Sequence, residues 1–435
     1  MTGLLDSLLA VVVATILNVV VVLQIGSRAA PDEARFLVRV YSWTVLLRYA
    51  LAIILNIYAA DLAFNLTFWG DSDTYDIGGA QLARRWGGEP LSSIHMLTSV
   101  SGWGWVYFVA GVYYLVGRNQ LLVQFLNGLL GGVTVLVIYA IAARLFGRAA
   151  ARWAALFMAF FPQMVFWSAA MYKDPAVLLC IAVCMYAVLR LRERLSASMI
   201  VLFILSELAL IPLRFYIAYF VAFAAVATFL FTQRRGAVRS ALSYGLLIGL
   251  LFGALSLAVK RETLEQQASY MSLDRLQTTR QDQAMWSGSG SGFGQEHNVS
   301  TSAGALAALP MGLIYLLFAP FPWSVSGVRQ VLAFPETLVW YALMPAFVRG
   351  LAYAIRHRLR EILPILVFAT TLTAAYAIMQ GNVGTAYRQR TQVSMFFFVF
   401  MGVGIEQKRR QREAPDFAGQ ADPSLTADTS LASEG

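Results

Sequence analysis

An all-α, polytopic transmembrane helical bundle is what the sequence predicts, and three observations carry that expectation. The 435 residues are 58% apolar and only 13% charged. Apolar runs of about 18 to 25 residues recur along the chain, each long enough to cross roughly 30 Å of hydrocarbon as a helix. Arg-rich clusters punctuate those runs instead of gathering on one patch, so the formal charge of +9 reports topology and not a nucleic-acid partner. The mean hydropathy of +0.63 lies outside the range of soluble domains. The weaker alternation of a membrane β-barrel is absent.

Eleven crossings are expected, at 3–26, 38–60, 119–143, 150–170, 175–191, 197–213, 215–232, 238–259, 333–353, 362–380 and 391–405. The first apolar stretch, Leu4 to Ile25, lacks a basic flank and reads as a retained helix, not a signal peptide. The clusters at Arg28/Arg35/Arg39, Arg144/Arg148/Arg152, Arg190/Arg192/Arg194, Arg234/Arg235/Arg239, Arg349/Arg356/Arg358/Arg360 and Lys408/Arg409/Arg410/Arg412 then all fall on the cytoplasmic side. This holds only if two shorter aromatic-rich segments, Trp103 to Gly117 and Leu306 to Trp323, stay interfacial or re-entrant. The expected organisation is one transmembrane catalytic unit over 1–412 with external loops 61–118 and 260–332, followed by a disordered cytoplasmic tail, 413–435. The N-terminus is expected outside and the C-terminus inside a bacterial inner membrane. Cys180 and Cys184, one turn apart in an apolar helix, read as packing residues.

The unusual chemistry falls on the external side. In Trp69-Gly70-Asp71-Ser72-Asp73-Thr74-Tyr75, with Asp76 adjoining, three carboxylates crowd the membrane edge. Asp71, Ser72 or Asp73 can cap the helix that follows. Alternatively, Asp71 and Asp73 form a catalytic pair, one as general base for an acceptor hydroxyl and the other orienting it or binding a divalent cation such as Mg or Mn. Tyr75 and Asp76 would line the substrate site.

Lys173-Asp174 stands at an external helix junction, with Pro175 suited to the first turn of the next helix. Lys173 suits a phosphate, met as a point charge; the plainer reading is an Asp174 cap beside a snorkelling lysine. Arg214, after Ile211-Pro212-Leu213, pairs a helix end with another cation. Glu207, a carboxylate at membrane depth, is a functional candidate or a partner of Arg214 or Arg48. In the turn Gly381-Asn382-Val383-Gly384-Thr385-Ala386-Tyr387-Arg388-Gln389-Arg390, exposed amides and the guanidinium groups of Arg388 and Arg390 can cradle an anion. Asn382 is assigned to the substrate lining, with Asp174. The Ser/Gly run 287–294 reads as a flexible lid or linker.

An acidic pair in the first large loop, an interfacial aromatic segment, Gly117-Arg118-Asn119 and a helix ending Ala142-Ala143-Arg144-Leu145-Phe146-Gly147-Arg148 together resemble the GT-C membrane glycosyltransferases. Within that group the chain looks like bacterial relatives of the protein O-mannosyltransferases and the lipid A aminoarabinose transferases. The Lys173-Asp174 junction and the Asn382-Val383-Gly384-Thr385 turn look like features of an exopolysaccharide-cluster branch. The resemblance implies a GT-C-like bundle and transfer of a sugar from a polyprenyl-phosphate donor to a glycan, lipid or protein acceptor at the outer face, in envelope or exopolysaccharide assembly. Asp71 then takes the base role with Asp73 as its partner, and Lys173, Arg214, Arg388 and Arg390 hold the donor phosphate. The chain departs from the family in its Asp-Ser-Asp spacing, its additional N-terminal helix and its Gly102-Trp103-Gly104-Trp105 segment. Two rivals remain: a lipid-linked polysaccharide polymerase or ligase using external arginines, and a transporter or flippase with Arg48, Glu207 and Arg214 along its path.

Overall fold

A computed structural model describes residues 2–57, 70–89, 101–231, 261–286, 292–324 and 328–413. The expected span at 238–259, loop residues 61–69 and 90–100, most of the Ser/Gly run and the tail from 414 lie outside the described residues.

Helices account for nearly all of it, and no strand is present among the described residues. In chain order they are α1 (Thr2–Arg28), α2 (Pro31–Ile57), α3 (Gly70–Trp86), α4 (Trp103–Val116), α5 (Gln120–Phe146), α6 (Arg148–Phe160), α7 (Pro162–Ala169), α8 (Asp174–Glu193), α9 (Ala197–Phe231), α10 (Arg261–Tyr270), α11 (Leu273–Trp286), α12 (Ser302–Phe318), α13 (Val328–Met379) and α14 (Val383–Glu413). Among the described residues, six helices are long and apolar enough to cross a membrane, or seven if α6 and α7, bent by 50° at Phe161-Pro162, form one span. The segments expected at 197–213 and 215–232 fall within α9, and those at 333–353 and 362–380 within α13. Each of these long helices contains a non-helical residue where the sequence reading places a turn, Arg214 in α9 and Arg358 in α13. With 14 and 17 residues, α4 and α12 extend only about 21 and 26 Å, short for a crossing.

The exposed faces are those of a lipid-solvated protein: Leu4, Leu8, Val12, Ile16 and Leu23 of α1 are all more than half exposed. In contrast, α14 is buried almost all round and runs through the centre, packed against α13 and α6. Its Phe397, Phe398 and Phe400 meet Phe157, Phe161, Trp340 and Phe347 in edge-on, tilted and stacked contacts, within a core shared with α5, α8 and α9.

Two helix breaks set up the rest, and each is repaired by a group from elsewhere in the chain. At the end of α6, Pro162 has no N–H to offer the Met158 carbonyl. Fully buried Arg48 of α2 takes its place, donating to Ala159 O at 2.9 Å and Met158 O at 3.4 Å, to Thr44 O at 3.1 Å and to Ser168 Oγ at 2.7 Å. Gly131 makes room for it, because a Cβ there would lie 2.9 Å from Arg48 Nε. Arg48 is therefore a strut across the α6–α7 break. Glu207 partners neither arginine; its contact is with Cys184 Sγ at 3.7 Å.

In α9 the break follows Pro212. The carbonyls of Pro212 and Leu213 accept from Gly102 N at 3.0 Å and Ser101 Oγ at 3.1 Å, residues that lead into α4. Only glycine allows so close an approach: a Cβ at Gly104 would lie 2.6 Å from Pro212 Cβ, and Gly102 sits at φ +90° in the left-handed region. The Gly-Trp-Gly-Trp segment is thus fitted to the α9 break.

Candidate functional site

Four stretches far apart in sequence meet around one guanidinium. Arg388, in the second turn of α14, donates from Nη1 to Asp71 Oδ2 at 2.6 Å, and from Nε and Nη2 to Asp174 Oδ2 at 2.8 and 2.6 Å. Arg214 donates from Nη2 to the other Asp174 oxygen, Oδ1, at 2.9 Å. Asp174 is completely buried, whereas the Asp71 side chain is 55% exposed, so one carboxylate is fixed and the other is open to an incoming molecule. The Arg388 guanidinium also lies 4.2 Å from the ring centre of Tyr172 and 5.3 Å from that of Trp167. Burial disfavours its charge, but the Asp174 and Asp71 carboxylates outweigh burial and hold Arg388 firmly protonated.

Local structure explains each placement. Asp71 lies in the first turn of α3, where the helix dipole favours a carboxylate. It is therefore a residue of the helix and not the cap preceding it. Lys173 is the residue before α8, and Asp174 and Pro175 open that helix without a side-chain cap bond. The turn carrying them is clamped by Asn127 Nδ2 of α5, which donates to Ala170 O at 2.6 Å and Tyr172 O at 2.8 Å, and by Trp105 Nε1 of α4, which donates to Met171 O at 3.2 Å. Arg214 is aimed at Asp174 by the α9 break and held by Tyr216, whose hydroxyl accepts from Nη1 at 3.0 Å. Tyr376 behind it donates to Gln392 Oε1 at 2.5 Å.

Lys173 completes the group. Among the described residues its ammonium has neither a hydrogen-bond nor an ion-pair partner; it lies 5.9 Å from the Tyr75 ring centre. Burial first, and then the neighbouring Arg214, push it down to about 7. A Cβ at Gly102 would lie 2.7 Å from Nζ and 3.4 Å from the Tyr75 hydroxyl, so the glycine makes room for Lys173 as well as for the turn. Three basic side chains thus face two carboxylates, a balance that is net positive while Lys173 is protonated, below about pH 7.

The other expected site residues lie elsewhere. Asp73 is exposed and leaves α3 roughly 200° around the helix from Asp71; burial and the Asp76 carboxylate push its carboxyl up. Asp76 is buried in a separate pair with Arg118 and accepts from the Tyr113 hydroxyl at 2.6 Å, tying α3 to the α4–α5 junction. Arg390 is fully buried and turned to the opposite side, donating to Leu317 O at 2.9 Å and Ala319 O at 3.3 Å beneath the Trp340 and Tyr387 rings. Asn382 caps α14, its Oδ1 accepting from Gly384 N at 2.6 Å and Thr385 N at 3.2 Å. Asp71 and Asp73 do not converge, and among the described residues no group of three or more His, Cys, Asp or Glu is placed to hold a metal ion. The pair does not fit a divalent-cation site. Trp105, Asn127, Gly102 and Tyr172 belong to the site's construction but were not singled out for it in the sequence; the alternating glycines of 102–105 were the available signal.

Residues 103–258 match the family model described as dolichyl-phosphate-mannose-protein mannosyltransferase, so the resemblance to GT-C membrane glycosyltransferases holds over that stretch, which includes Lys173, Asp174 and Arg214. No curated protein sequence matches the chain. Among solved structures, the Archaeoglobus fulgidus oligosaccharyltransferase in complex with Zn and sulfate is 14% identical with a TM-score of 0.44, over 86% of this chain and 49% of its own. The oligosaccharyltransferase AglB of the same organism, in complex with an inhibitory peptide and a dolichol-phosphate, is 13% identical with a TM-score of 0.44, over 89% of this chain and 52% of its own. The chain spans about half the length of these archaeal proteins.

Proposed function

We propose that this membrane protein is a glycosyltransferase that moves a sugar from a polyprenyl-phosphate-linked donor to an acceptor hydroxyl at the outer face of a bacterial inner membrane, in envelope or exopolysaccharide assembly. The observation that carries the reading is the bridge made by Arg388 between exposed Asp71 and buried Asp174, with Lys173, which has no ion-pair partner among the described residues, close by. The family match over 103–258 supports it.

In this reading the donor phosphate enters between Arg388 and Lys173 and competes with Asp71 for Arg388. A guanidinium can hold a phosphate through two parallel N–H donors. Asp174 and Arg214 keep Arg388 oriented from the buried side. Released from its ion pair, the Asp71 carboxylate takes the proton of the acceptor hydroxyl as that oxygen forms a bond to the anomeric carbon. The bond from that carbon to the phosphate oxygen breaks, and its electron pair leaves with the phosphate. Arg388 and Lys173 stabilise the charge that develops there, placed before the reaction begins. Asp73, on another face of α3, is left an electrostatic role, and Arg390 a structural one.

The test is sugar transfer from a synthetic polyprenyl-phosphate sugar by the protein in proteoliposomes. Asp71→Asn and Arg388→Ala are each expected to lower it by about 10²-fold or more while the protein still folds; transfer retained by both sinks the proposal.

A further inference from the structure

Outside this pocket the described residues form a polar groove of about 490 Å³. One wall is α11, which contributes Asp274, Gln277, Thr278 and Gln281; the other is the segment after the Ser/Gly run, which contributes Gln295, Glu296, Asn298 and Ser300. The helical wall has the spacing i, i+3, i+4, i+7, the stripe a helix ordinarily turns to an apolar partner. Here every position on that stripe is polar, and a second wall nevertheless stands opposite it.

Both walls are fixed. Val299 N donates to Gln277 Oε1 at 2.9 Å and Ser300 N to Asn298 Oδ1 at 3.0 Å, while Val299 itself is fully buried against Ala305, Ala308 and Leu276. The unit is also bonded to the turn that starts α14. Phe293 N donates to Gly381 O at 3.0 Å, Gly381 N to Gln283 Oε1 at 3.1 Å and Asn382 Nδ2 to Gln283 O at 3.3 Å. Asn382 is the cap of the helix that carries Arg388 six residues later.

We propose that this groove binds a neutral saccharide, the acceptor glycan of the reaction, and the proposal rests on the glycosyltransferase reading. Three of the lining residues are glutamines and one is an asparagine, side chains that offer donors and acceptors together; Thr278 and Ser300 add hydroxyls and Asp274 and Glu296 add acceptors. That inventory matches the mixed donor and acceptor hydroxyls of a sugar. No lining residue is cationic, which argues against an anion, and none is apolar, which argues against a peptide read by its side-chain anchors. Only two carboxylates are present, and no metal-holding group of three occurs among the described residues. The volume lies within the roughly 300–1,000 Å³ of ordinary ligand clefts.

The experiment is saturation-transfer NMR on the full-length protein in nanodiscs, with maltotetraose and cellotetraose as saccharide probes and a Ser-Gly tetrapeptide as the competing class. The wild type is expected to bind at least one tetrasaccharide. Gln281→Ala combined with Glu296→Gln, both exposed positions, is expected to weaken that binding roughly tenfold without lowering thermal stability. No saccharide binding by the wild type, equal binding by the double variant, or binding of the peptide alone overturns the proposal. The readout needs no turnover: saccharide binding retained by Arg388→Ala, which is expected to have lost transfer, separates the groove from the pocket. If Asp71→Asn and Arg388→Ala both keep transfer but the groove binds, the glycosyltransferase mechanism fails and the saccharide site stands.

Discussion

Arg388 and Asp71 lie 317 residues apart in sequence and share a 2.6 Å hydrogen-bonded ion pair at the entrance to a buried charge cluster. Asp71 is more than half exposed, so this is the weaker arm of the Arg388 bridge, and the one a ligand can displace. In the proposed chemistry these two groups hold each other at rest and substrate is what separates them. Asp71→Asn is expected to lower transfer by about 10²- to 10⁴-fold, the usual worth of a positioned base, while binding of a polyprenyl phosphate is unchanged or tighter. Weaker phosphate binding by this variant, measured by tryptophan fluorescence, contradicts the displacement.

Asp73 provides the internal comparison. Because it faces away from Arg388, Asp73→Asn is expected to cost under about tenfold in transfer, far less than Asp71→Asn. Equal losses in steady-state assays of the two variants would return both carboxylates to a paired role.

Arg388→Lys is expected to fail nearly as badly as Arg388→Ala. Three donors in a planar fork are used at once, two on Asp174 and one on Asp71, and an ammonium does not reproduce that fork. Recovery of wild-type kcat by the lysine variant would show that charge alone suffices.

The Lys173 ammonium is expected to give donor binding its pH dependence. Its folded value of about 7 lies below the ordinary lysine range, so the charged form is present below pH 7 and is lost as pH rises through it. Affinity for polyprenyl phosphate should accordingly fall above neutrality, and Lys173→Arg, charged throughout, should flatten that limb. The sign for stability is opposite: between about 7 and the usual lysine value the unfolded chain binds the extra proton, so this residue favours folding more as pH rises across that window. A binding profile flat from pH 6 to 8.5 in the wild type would remove Lys173 from the phosphate site.

Gly104→Ala is expected to destabilise the protein by about 1–3 kcal/mol, because the new methyl group would press on Pro212 and separate α4 from the α9 break. Arg48→Met should lower the melting temperature of the detergent-solubilised protein further, since it strands the Met158 and Ala159 carbonyls in a buried site. A melting temperature unchanged in Arg48→Met, with loss of a transport activity, would favour the transporter instead.

Much of this was legible in the sequence, and the limits have physical causes. The helices follow from apolar runs of a length only a bilayer explains, and the helix end read at Arg214, after Ile211-Pro212-Leu213, is where α9 breaks. The meeting of Asp71 with Lys173, Asp174, Arg214 and Arg388 was expected from the side of the membrane they share. What the sequence hid was direction. Arg388 and Arg390 differ by two positions, about 200° around a helix, so one enters the pocket and the other turns to the Leu317 and Ala319 carbonyls. The same geometry separates Asp71 from Asp73. Arg48 looked like a charge on a path; only the partners at Met158 and Ala159, more than a hundred residues away, reveal its role.

The two mended helices share an order in time. Synthesis runs from the N-terminus, and in both cases the mending group comes first: Arg48 precedes Met158, and Ser101 and Gly102 precede Pro212. Each gap therefore opens onto a donor already delivered to the bilayer. The charge cluster follows the reverse schedule, since Asp71, Asp174 and Arg214 must wait for α14 to bring the guanidinium that joins them. A nascent protein arrested before that helix would carry both mended breaks and still lack the central helix and the guanidinium on which the charge cluster closes.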